Sequence, residues 1–463
     1  MKEKFKPELV KCIDLSFEGK GVTKTSYGVC FVDGLFPGEE AYIEIQYRRA
    51  GNLFGKVTSL VKKSPHRIQP LCGVCSACGG CQFQQLDYEA QLEYKTKKVK
   101  EAFNRHSLKD ISVLPCLGMK DNPYNYRNKI QVPLGLNNHG KIISGFYRAN
   151  THEIIAIDEC YIEDVRAKSI VKNIKQLMKE FRYLPYDEDT GEGLIRHIII
   201  RTSYHYKQIM VTLVTAYDEF KGRNNFVKAL KERCPEITTI VQNINSRRTN
   251  VILGEKERIL YGPGHIKDSI LGVNFLISSK SFFQVNPIQV EKLYQKAIEF
   301  ANITSKSRVF DAYCGIGTIG LIASKTAQDV VGVEIVKEAI VDAKKNAKLN
   351  NITNAEFFVG DAGEIYSKLK REGRDFDVVF VDPPRKGLTE DFINCLLEEQ
   401  PKTICYVSCD PETLSRDLTL LSKKYSISDI QPVDMFPMPP QPPAWPSYSW
   451  KGLYSLRIRF LPL

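Results

Sequence analysis

Hydrophobic and polar residues alternate in short runs over the first 65 residues of the chain. Three of these runs, at 28–32, 40–45 and 54–57, show the two-residue period of strands and are separated by turn residues. Strands at this spacing are typical of small β-barrels, many of which bind RNA. We therefore expect a barrel domain at residues 1–65, although a purely structural β-cap would show the same pattern.

The pattern changes twice further along the chain. A helix is predicted at about 88–105, and alternating strand patterns such as 154–157 and 195–201 then dominate up to about 270. These features predict a β-rich central domain at 66–272. From about 275, buried strands alternate with helices, which is the pattern of a parallel, doubly wound α/β sheet, and we expect this third domain at 273–463.

Two local patterns add expectations of their own. The predicted helix has a basic face that could follow RNA phosphates or simply be solvated. Its basic residues are Lys95, Lys97, Lys98, Lys100 and Arg105. Near the end of the chain, seven of the 23 prolines fall within 432–446. Because proline cannot donate to a β-ladder, we do not expect a closing strand of the third sheet there.

The composition, 43% hydrophobic and 26% charged, is ordinary for a soluble protein and excludes a disordered or fibrous chain. No apolar stretch is long enough to span a membrane, and the first residues lack the apolar core of a signal peptide. We therefore expect a cytoplasmic protein. The net charge of +11 favours a polyanionic partner such as nucleic acid.

Four of the 13 cysteines lie within ten residues, each separated from the next by two positions. They are Cys72, Cys75, Cys78 and Cys81. Close spacing of this kind is typical of iron–sulfur ligands, whereas a zinc site normally separates its two Cys-x-x-Cys pairs by a dozen or more residues. Zinc binding and plain reactive thiols remain alternatives.

The stretch 308–320 has the pattern of an apolar strand, a Gly-x-Gly turn and a helix, which serves dinucleotides as well as adenosylmethionine. Three later strands end in the acids Glu334, Asp361 and Asp382. Each acid alone could be a helix N-cap or a turn residue. Their recurrence at successive strand ends indicates a pocket at the carboxyl edge of the sheet, with Glu334 suited to ribose hydroxyls and Asp361 to an adenine amino group.

The best candidate nucleophile is Cys409, which follows a buried strand and precedes a predicted helix with Pro411 in its first turn. A helix N-terminus favours a thiolate. A thiolate is useful to a methyltransferase because C5 of uracil is too weak a nucleophile to attack a methylsulfonium. Addition of sulfur at C6 makes an enolate that can accept the methyl at C5, after which a base must remove the C5 proton.

With these residues in view, nearly the whole chain resembles the RNA uracil-5-methyltransferase family, in its iron–sulfur branch that modifies 23S ribosomal RNA. The resemblance implies an N-terminal TRAM barrel, a β-rich central iron–sulfur domain and a Rossmann-like class I methyltransferase domain. It also implies S-adenosyl-L-methionine and a [4Fe-4S] cluster as cofactors, ribosomal RNA as partner, no membrane association and a monomer.

The resemblance also assigns roles to individual residues. It implies Cys409 as nucleophile, and it places Tyr126 to Lys129 in a central-domain motif near the RNA. The implied cofactor contacts are Gln284, Tyr313, Glu334, Asp361 and Asp382. The implied cluster ligands are Cys72, Cys78, Cys81 and Cys160, which leaves Cys75 as a bystander or an alternative ligand.

The chain departs from the family after the segment Asp434 to Pro437. The family continues with a His-Thr-x-His-x-Glu-like motif whose glutamate is the base, whereas Pro443 stands in its place here, and no Asp or Glu follows Asp434. We therefore expect methyl transfer to survive while release of the enzyme from RNA is slowed.

Three alternatives follow from these observations. A radical adenosylmethionine enzyme would use the same cofactors, but its usual Cys-x3-Cys-x2-Cys spacing is absent. An RNA-binding protein of the same family that has lost turnover fits the altered end of the chain. A transfer-RNA methyltransferase is disfavoured because those relatives generally lack the four-cysteine cluster.

Overall fold

The computed structural model describes residues 5–119, 121–148, 151–248 and 251–438, together with the backbone of 453–460. These residues form a closed barrel, two seven-stranded sheets and a two-stranded hairpin, with nine helices packed around them. No helix in these ranges is long and apolar enough to cross a membrane.

The first five strands close into a barrel in the order β1-β2-β3-β5-β4, which confirms the predicted barrel. Its strands are β1 (Glu8–Leu15), β2 (Gly21–Thr25), β3 (Gly28–Asp33), β4 (Glu40–Arg49) and β5 (Asn52–Lys62). Alternate side chains, among them Val10, Val32 and Ile43, point inward and form a small buried core. The exposed side chains that alternate with them include polar residues and also apolar ones such as Leu9, Ile13 and Tyr42.

Helix α1 (Tyr88–Arg105) begins and ends where the sequence predicts, but its basic face is not simply solvated. Lys95 and Lys98 are each only 5% exposed. Lys95 Nζ lies 2.6 Å from Asp434 Oδ1 near the other end of the chain. Lys98 pairs with Glu101 in the same helix at 2.6 Å and with Asp14 of β1 at 3.3 Å. These two lysines therefore join parts of the fold and cannot follow RNA phosphates.

A seven-stranded sheet in the order β12-β11-β10-β9-β6-β7-β8 forms the central part of the chain. Its strands are β6 (Lys129–Leu136), β7 (Ile142–Tyr147), β8 (Ile154–Ala156), β9 (Ile195–Thr202), β10 (Ile209–Thr215), β11 (Thr239–Ile244) and β12 (Lys256–Tyr261). Helices α2 (Arg166–Glu180) and α3 (Arg223–Arg233) cover one face and share its apolar core. The other face meets the hairpin of β13 (His265–Ile270) and β14 (Val273–Ser278), where Met210 and Val241 join the core of the second large sheet.

The second seven-stranded sheet has the order β17-β16-β15-β18-β19-β21-β20. Its strands are β15 (Arg308–Ala312), β16 (Asp329–Glu334), β17 (Ala355–Val359), β18 (Val378–Val381), β19 (Thr403–Ser408), β20 (Tyr425–Val433) and β21 (Leu453–Phe460). Its helices are α4 (Pro287–Ala301), α5 (Thr318–Ala323), α6 (Lys337–Leu349), α7 (Ala362–Arg371), α8 (Glu390–Glu399) and α9 (Pro411–Leu421). Strands β15 to β19 pair in parallel, as predicted.

The expectation that the prolines preclude a closing strand is wrong. Strand β21 begins after the proline-rich stretch and lies between β19 and β20, antiparallel to both. Pro432 lies near the end of β20, and Pro437 follows that strand. The other five prolines of 432–446 lie outside the described residues.

Two buried apolar clusters cover the two faces of this sheet. Val99, Ala102 and Phe103 of α1 belong to the second cluster, so this helix packs on the α/β sheet although the expected limits place it in the central domain. Leu114 N and Leu117 N also donate to backbone carbonyls of β20. The domain limits 1–65, 66–272 and 273–463 stay a prediction.

The ion pair between Lys95 and Asp434 gives a stability prediction. Lys95→Met removes the cation and leaves Asp434, 2% exposed, without its charged partner. Breaking a buried pair in this way costs about 3–5 kcal/mol. We expect a large decrease of the urea midpoint, whereas Lys97→Met, which removes a half-exposed lysine from the same helix, should cost less than about 1 kcal/mol. Equal midpoints for the two variants would contradict this role of Lys95.

Candidate active site

The loop after β15 forms the floor of the candidate pocket. Tyr313, Gly315 and Gly317 have φ angles of +62°, +56° and +84°, so the chain leaves the strand in a tight left-handed loop before α5. Such a conformation costs about 1–3 kcal/mol at a residue other than glycine, and it places Tyr313 at the carboxyl edge of the sheet. Burial raises the pKa of Tyr313 to about 12, and the charges of Asp361 and Glu334 add to this shift.

Glu334 and Asp361 lie near this tyrosine, at the ends of the two strands on one side of β15. Glu334 accepts hydrogen bonds from the backbone amides of Gly315 (3.3 Å) and Val336 (3.0 Å). Asp361 is also the N-cap of α7, because its Oδ1 accepts from Gly363 N and Glu364 N. The capping role considered from the sequence is thus present, and Asp361 nevertheless belongs to the same electrostatic neighbourhood as Glu334.

Asp311 is a buried acid that the sequence analysis did not select. It lies in β15 and is 1% exposed, its Oδ2 accepts from Gly320 N at 2.7 Å, and its Oδ1 is buried without a hydrogen-bond partner. Burial raises its pKa to about 8, with the charges of Asp382 and Glu334 contributing. A β-carbon on Gly320 would lie 2.7 Å from this carboxylate, so α5 approaches the strand as closely as it does only with glycine there. A charged residue inside an apolar strand is the signal that could have identified it.

Gln284 reaches the same region from the loop between β14 and α4. It is 5% exposed, and its side chain is hydrogen-bonded to the Tyr294 hydroxyl, which lies 3.4 Å from Thr318 Oγ1. Burial raises the pKa of Tyr294 well above its ordinary value, and the charge of Asp382 adds to this. The structure thus brings Gln284, Asp382 and the start of α5 together around Tyr294, a residue that sequence reasoning missed.

Cys409 lies directly between β19 and α9, as predicted, and is 9% exposed. Val381 pairs with Tyr406, so Asp382 and Cys409 leave neighbouring parallel strands at the same sheet edge. The first-turn amides of Glu412 and Thr413, expected to favour a thiolate, donate instead to the Asp410 carboxylate. The expectation that Cys409 is a thiolate stays a prediction.

An exposed apolar residue completes this edge. Ile335 is 72% exposed immediately after Glu334. Val336 and Val359 beside it are about half exposed, at 48% and 47%. A patch of this kind next to polar groups is typical of a ligand-binding surface.

The cluster cysteines lie close together but do not form a ligand set in this arrangement. Burial raises the pKa of Cys81 to about 12, and the charges of Cys78, Cys72 and Cys75 add to this. Burial also raises the pKa of the Cys160 thiol, and the neighbouring Cys81 and Cys78 add to this shift. No three His, Cys, Asp or Glu side chains among the described residues are placed to hold one metal ion.

The motif expected near the RNA lies beside the Gln284 loop. Asn128 N donates to Val285 O at 2.9 Å, and Asn128 Nδ2 donates to Gln284 O at 3.2 Å. The neighbouring Tyr126 hydroxyl donates to Pro437 O at 3.0 Å. This motif therefore connects the central sheet to the edge of the candidate pocket.

A family model described as tRNA (uracil-5-)-methyltransferase matches residues 87–441. The chain belongs to this family. Its predicted activity is thereby confirmed: it is an RNA (uracil-5-)-methyltransferase that uses S-adenosylmethionine. The matched residues end two positions before Pro443.

Relatives cover most of this uracil-5-methyltransferase. An uncharacterized RNA methyltransferase from Clostridium acetobutylicum is 46% identical over 429 residues, 92% of this chain and 93% of the relative. One from Oceanobacillus iheyensis is 43% identical over 427 residues, 92% of each chain. The solved structure of Pyrococcus abyssi tRNA (uracil-54, C5)-methyltransferase with S-adenosyl-L-homocysteine has a TM-score of 0.77 and 26% identity, and the match covers 98% of this chain and all of that one. The expected methyltransferase fold is confirmed.

Asp311 gives a pH prediction for the unliganded enzyme. The folded chain holds a proton at Asp311 up to about pH 8, whereas the unfolded chain releases it near pH 4. The stability that this protonated carboxyl contributes is therefore complete below about pH 4 and is lost as the pH rises toward 8. Asp311→Asn does not titrate and should gain stability relative to wild type, by a few kcal/mol as an order of magnitude, between pH 5 and 8. The measurement is the urea midpoint of wild type and Asp311→Asn at each pH across this range. The control Asp391→Asn, at an exposed site, should give a curve of midpoint against pH that is parallel to that of wild type. A parallel curve for Asp311→Asn would contradict the prediction.

Proposed function

We propose that this enzyme transfers a methyl group to C5 of a uridine in 23S ribosomal RNA, with Cys409 as the nucleophile that adds to C6. The observation that carries the proposal is the position of Cys409 at a strand end next to the strand that ends in Asp382. A sulfur at this edge and a methyl donor held by the strand-end acids would meet neighbouring carbons of one pyrimidine ring. The enzyme would act as a cytoplasmic monomer.

The proposed reaction has three stages. Cys409 Sγ would form a bond to C6, and the electron pair of the C5–C6 double bond would move toward C5 and O4. C5 would then form a bond to the methyl carbon of the donor as the bond between that carbon and the sulfonium sulfur breaks, so that S-adenosylhomocysteine leaves. Removal of the C5 proton returns the electron pair to C5–C6 and breaks the bond between sulfur and C6, which releases the thiolate.

Residues of the pocket fit S-adenosylmethionine, which supplies the electrophilic methyl carbon when it is bound. Glu334 would accept from ribose hydroxyls, Asp361 would accept from the adenine amino group, and the exposed Ile335 would cover the purine. Tyr313, Gln284 and Asp382 would line the part nearer the methyl. The buried Asp311 oxygen without a partner supports a polar or cationic occupant.

The base is the part of the reaction that this chain alters. Pro443, at the position of the family's glutamate, lies outside the described residues. Without a carboxylate there, elimination of the Cys409 adduct should be slow compared with methyl transfer. The enzyme would then stay attached to RNA. In this respect it would behave much like the alternative, an RNA-binding protein of the same family with impaired turnover.

We also propose a [4Fe-4S] cluster held by Cys72, Cys78, Cys81 and Cys160. Cys78 and Cys72 lie close enough to Cys81 to raise its pKa, and Cys81 and Cys78 act in the same way on Cys160, so a cationic centre here would favour thiolates. Metal binding would require them to move closer together than they are in the described arrangement. No step of methyl transfer depends on this cluster.

The barrel at 1–65 would be a TRAM domain that binds RNA. Rings on its outer face form a row across three strands: Phe31 and Phe54 have centroids 5.7 Å apart, and Tyr47 stacks on Phe54 at 5.0 Å. Tyr47 is half exposed, and the exposed Arg48 follows it. Aromatic rings beside basic groups are suited to stacking on bases of single-stranded RNA.

Transfer RNA is the second candidate substrate, because the Pyrococcus abyssi structure that matches 98% of this chain is of a tRNA (uracil-54, C5)-methyltransferase. We favour ribosomal RNA because the four cysteines are typical of that branch. Mapping 5-methyluridine in both RNA classes, from cells with and without this protein, separates the two.

Cys409→Ala tests the reaction. Wild-type enzyme incubated with uracil-containing RNA and S-adenosylmethionine should give a protein–RNA band that persists on denaturing gels, because the adduct cannot eliminate readily. Cys409→Ala should give no band and no tritium release from C5-labelled uridine, while Cys405→Ala, in the strand just before, should keep both. Rapid multiple turnover of wild type with no adduct would contradict the slow release, and methylation by Cys409→Ala would contradict the nucleophile.

Metal analysis tests the cluster. Protein reconstituted with iron and sulfide without oxygen should bind about four of each per chain and show the visible absorption of an iron–sulfur cluster. Cys81→Ser should lose both signals, whereas Cys75→Ser should keep them. One zinc per chain and no sulfide would support a zinc site instead.

A further inference from the structure

The turn that follows Asp382 is held in place by two residues far from it in sequence. Gly387 N donates to Pro384 O at 2.9 Å, and Gly387 has a φ of +77°, which closes a tight turn after the Asp-Pro-Pro motif. This hydrogen bond lies within the turn and does not link it to the neighbouring strand that leads to Cys409. Contacts from α9 provide that link.

Asp417 of α9 is fully buried, and both of its oxygens accept hydrogen bonds. Its Oδ2 accepts from Leu388 N and from the Tyr406 hydroxyl, each at 2.8 Å. Its Oδ1 accepts from Arg416 Nε at 2.8 Å and Arg416 Nη2 at 2.6 Å. One carboxylate therefore joins the end of the turn to strand β19, three residues before Cys409.

Arg416 holds the turn from its other side. Its Nη2 donates to Lys386 O at 2.7 Å as well as to Asp417. A β-carbon on Gly387 would lie 2.5 Å from both Arg416 Nη2 and Asp417 Oδ2, so the turn rests directly on this pair. Arg416 and Asp417 contact only backbone atoms of residues 386–388. These contacts fix the position of the turn whatever side chains it carries.

We propose that Asp417, supported by Arg416, is a positioning residue that sets the distance between Asp382 and Cys409. The inference rests on the proposed function, in which sulfur and methyl must approach adjacent carbons of one ring. A displacement of about 1 Å between such groups can cost about 100-fold in rate. Asp417 itself touches neither substrate nor cofactor.

The test compares Asp417→Ala and Asp417→Asn with Asp429→Ala, an exposed acid in β20. Active sites are counted first, by the adduct formed with RNA that carries 5-fluorouridine, whose C5 fluorine cannot leave as a proton does. The rate of methyl transfer is then measured in a single turnover per titrated site, together with the affinity for S-adenosylhomocysteine. The single-turnover rate is used because adduct release should limit steady turnover.

We expect Asp417→Ala to lower the rate per active site by about 100-fold while the affinity for S-adenosylhomocysteine changes less than about threefold. Asp417→Asn keeps an acceptor oxygen and should recover about tenfold. Asp429→Ala should match wild type. A rate per active site within twofold of wild type for Asp417→Ala would overturn the proposal, because only the folded fraction would then have changed.

A second variant covers the case in which Asp417→Ala does not fold. Arg416 is half exposed, and Arg416→Gln removes one support of the turn without leaving a cavity in the core. We expect a decrease of about tenfold in the same rate, and no further decrease when Arg416→Gln is added to Asp417→Asn, because the two act as one unit. Independent, multiplying effects would overturn the proposal. Methylation by Cys409→Ala would instead overturn the proposed function, so the two failures are distinguishable.

Discussion

Negative charge gathered at one edge of a parallel sheet is the constraint on which the candidate site depends. Strand order reverses at β15, so β16 and β17 present Glu334 and Asp361 on one side while β18 presents Asp382 on the other. Asp311 lies between them in the buried strand and keeps its proton up to about pH 8. Repulsion between these acids is unfavourable as long as the pocket holds no positive charge. The sulfonium of S-adenosylmethionine would reduce this repulsion, whereas the neutral thioether of S-adenosylhomocysteine would not. If these charges hold the methyl donor as proposed, they should also favour departure of the demethylated product.

The residues at this sheet edge could be predicted from the sequence because each of them is marked by the strand directly before it. Each parallel strand is buried and ends in a polar residue, and topology brings those ends together whatever the rest of the chain does. Glu334, Asp361, Asp382 and Cys409 were found in this way. Asp311 was missed because it lies inside a strand, where an acid has no evident partner in the sequence. Tyr294 was missed because a tyrosine on an amphipathic helix usually belongs to the core.

The lysines of α1 show why other features could not be predicted. A basic helix face has the same pattern whether it meets water, RNA or a distant carboxylate, and Asp434 lies 339 positions from Lys95. Once paired, Lys95 joins α1 to the segment 434–438, which follows β20. Met438 and Phe436 of that segment pack in one apolar cluster with Cys81 and Cys160. The cysteine-rich region and the end of the catalytic sheet are therefore one packed unit, which the order of motifs along the chain does not show.

This packing bears on the altered end of the chain. Asp434 is held by Lys95 and Tyr88, Met435 O accepts from Asn286, Pro437 O accepts from Tyr126, and Met438 N donates to Gln91. All of these contacts except that of Met438 precede the point at which the sequence departs from the family, so the segment Asp434 to Pro437 keeps its supports. The acids of the pocket follow strands β16, β17 and β18, none of which pairs with β21, whereas β19, which leads to Cys409, pairs with β21 as far as Ser408 and Tyr454. In the proposed reaction, loss of the glutamate would act on proton removal and not on the strands that carry the acids, and it would separate formation of the adduct from its release.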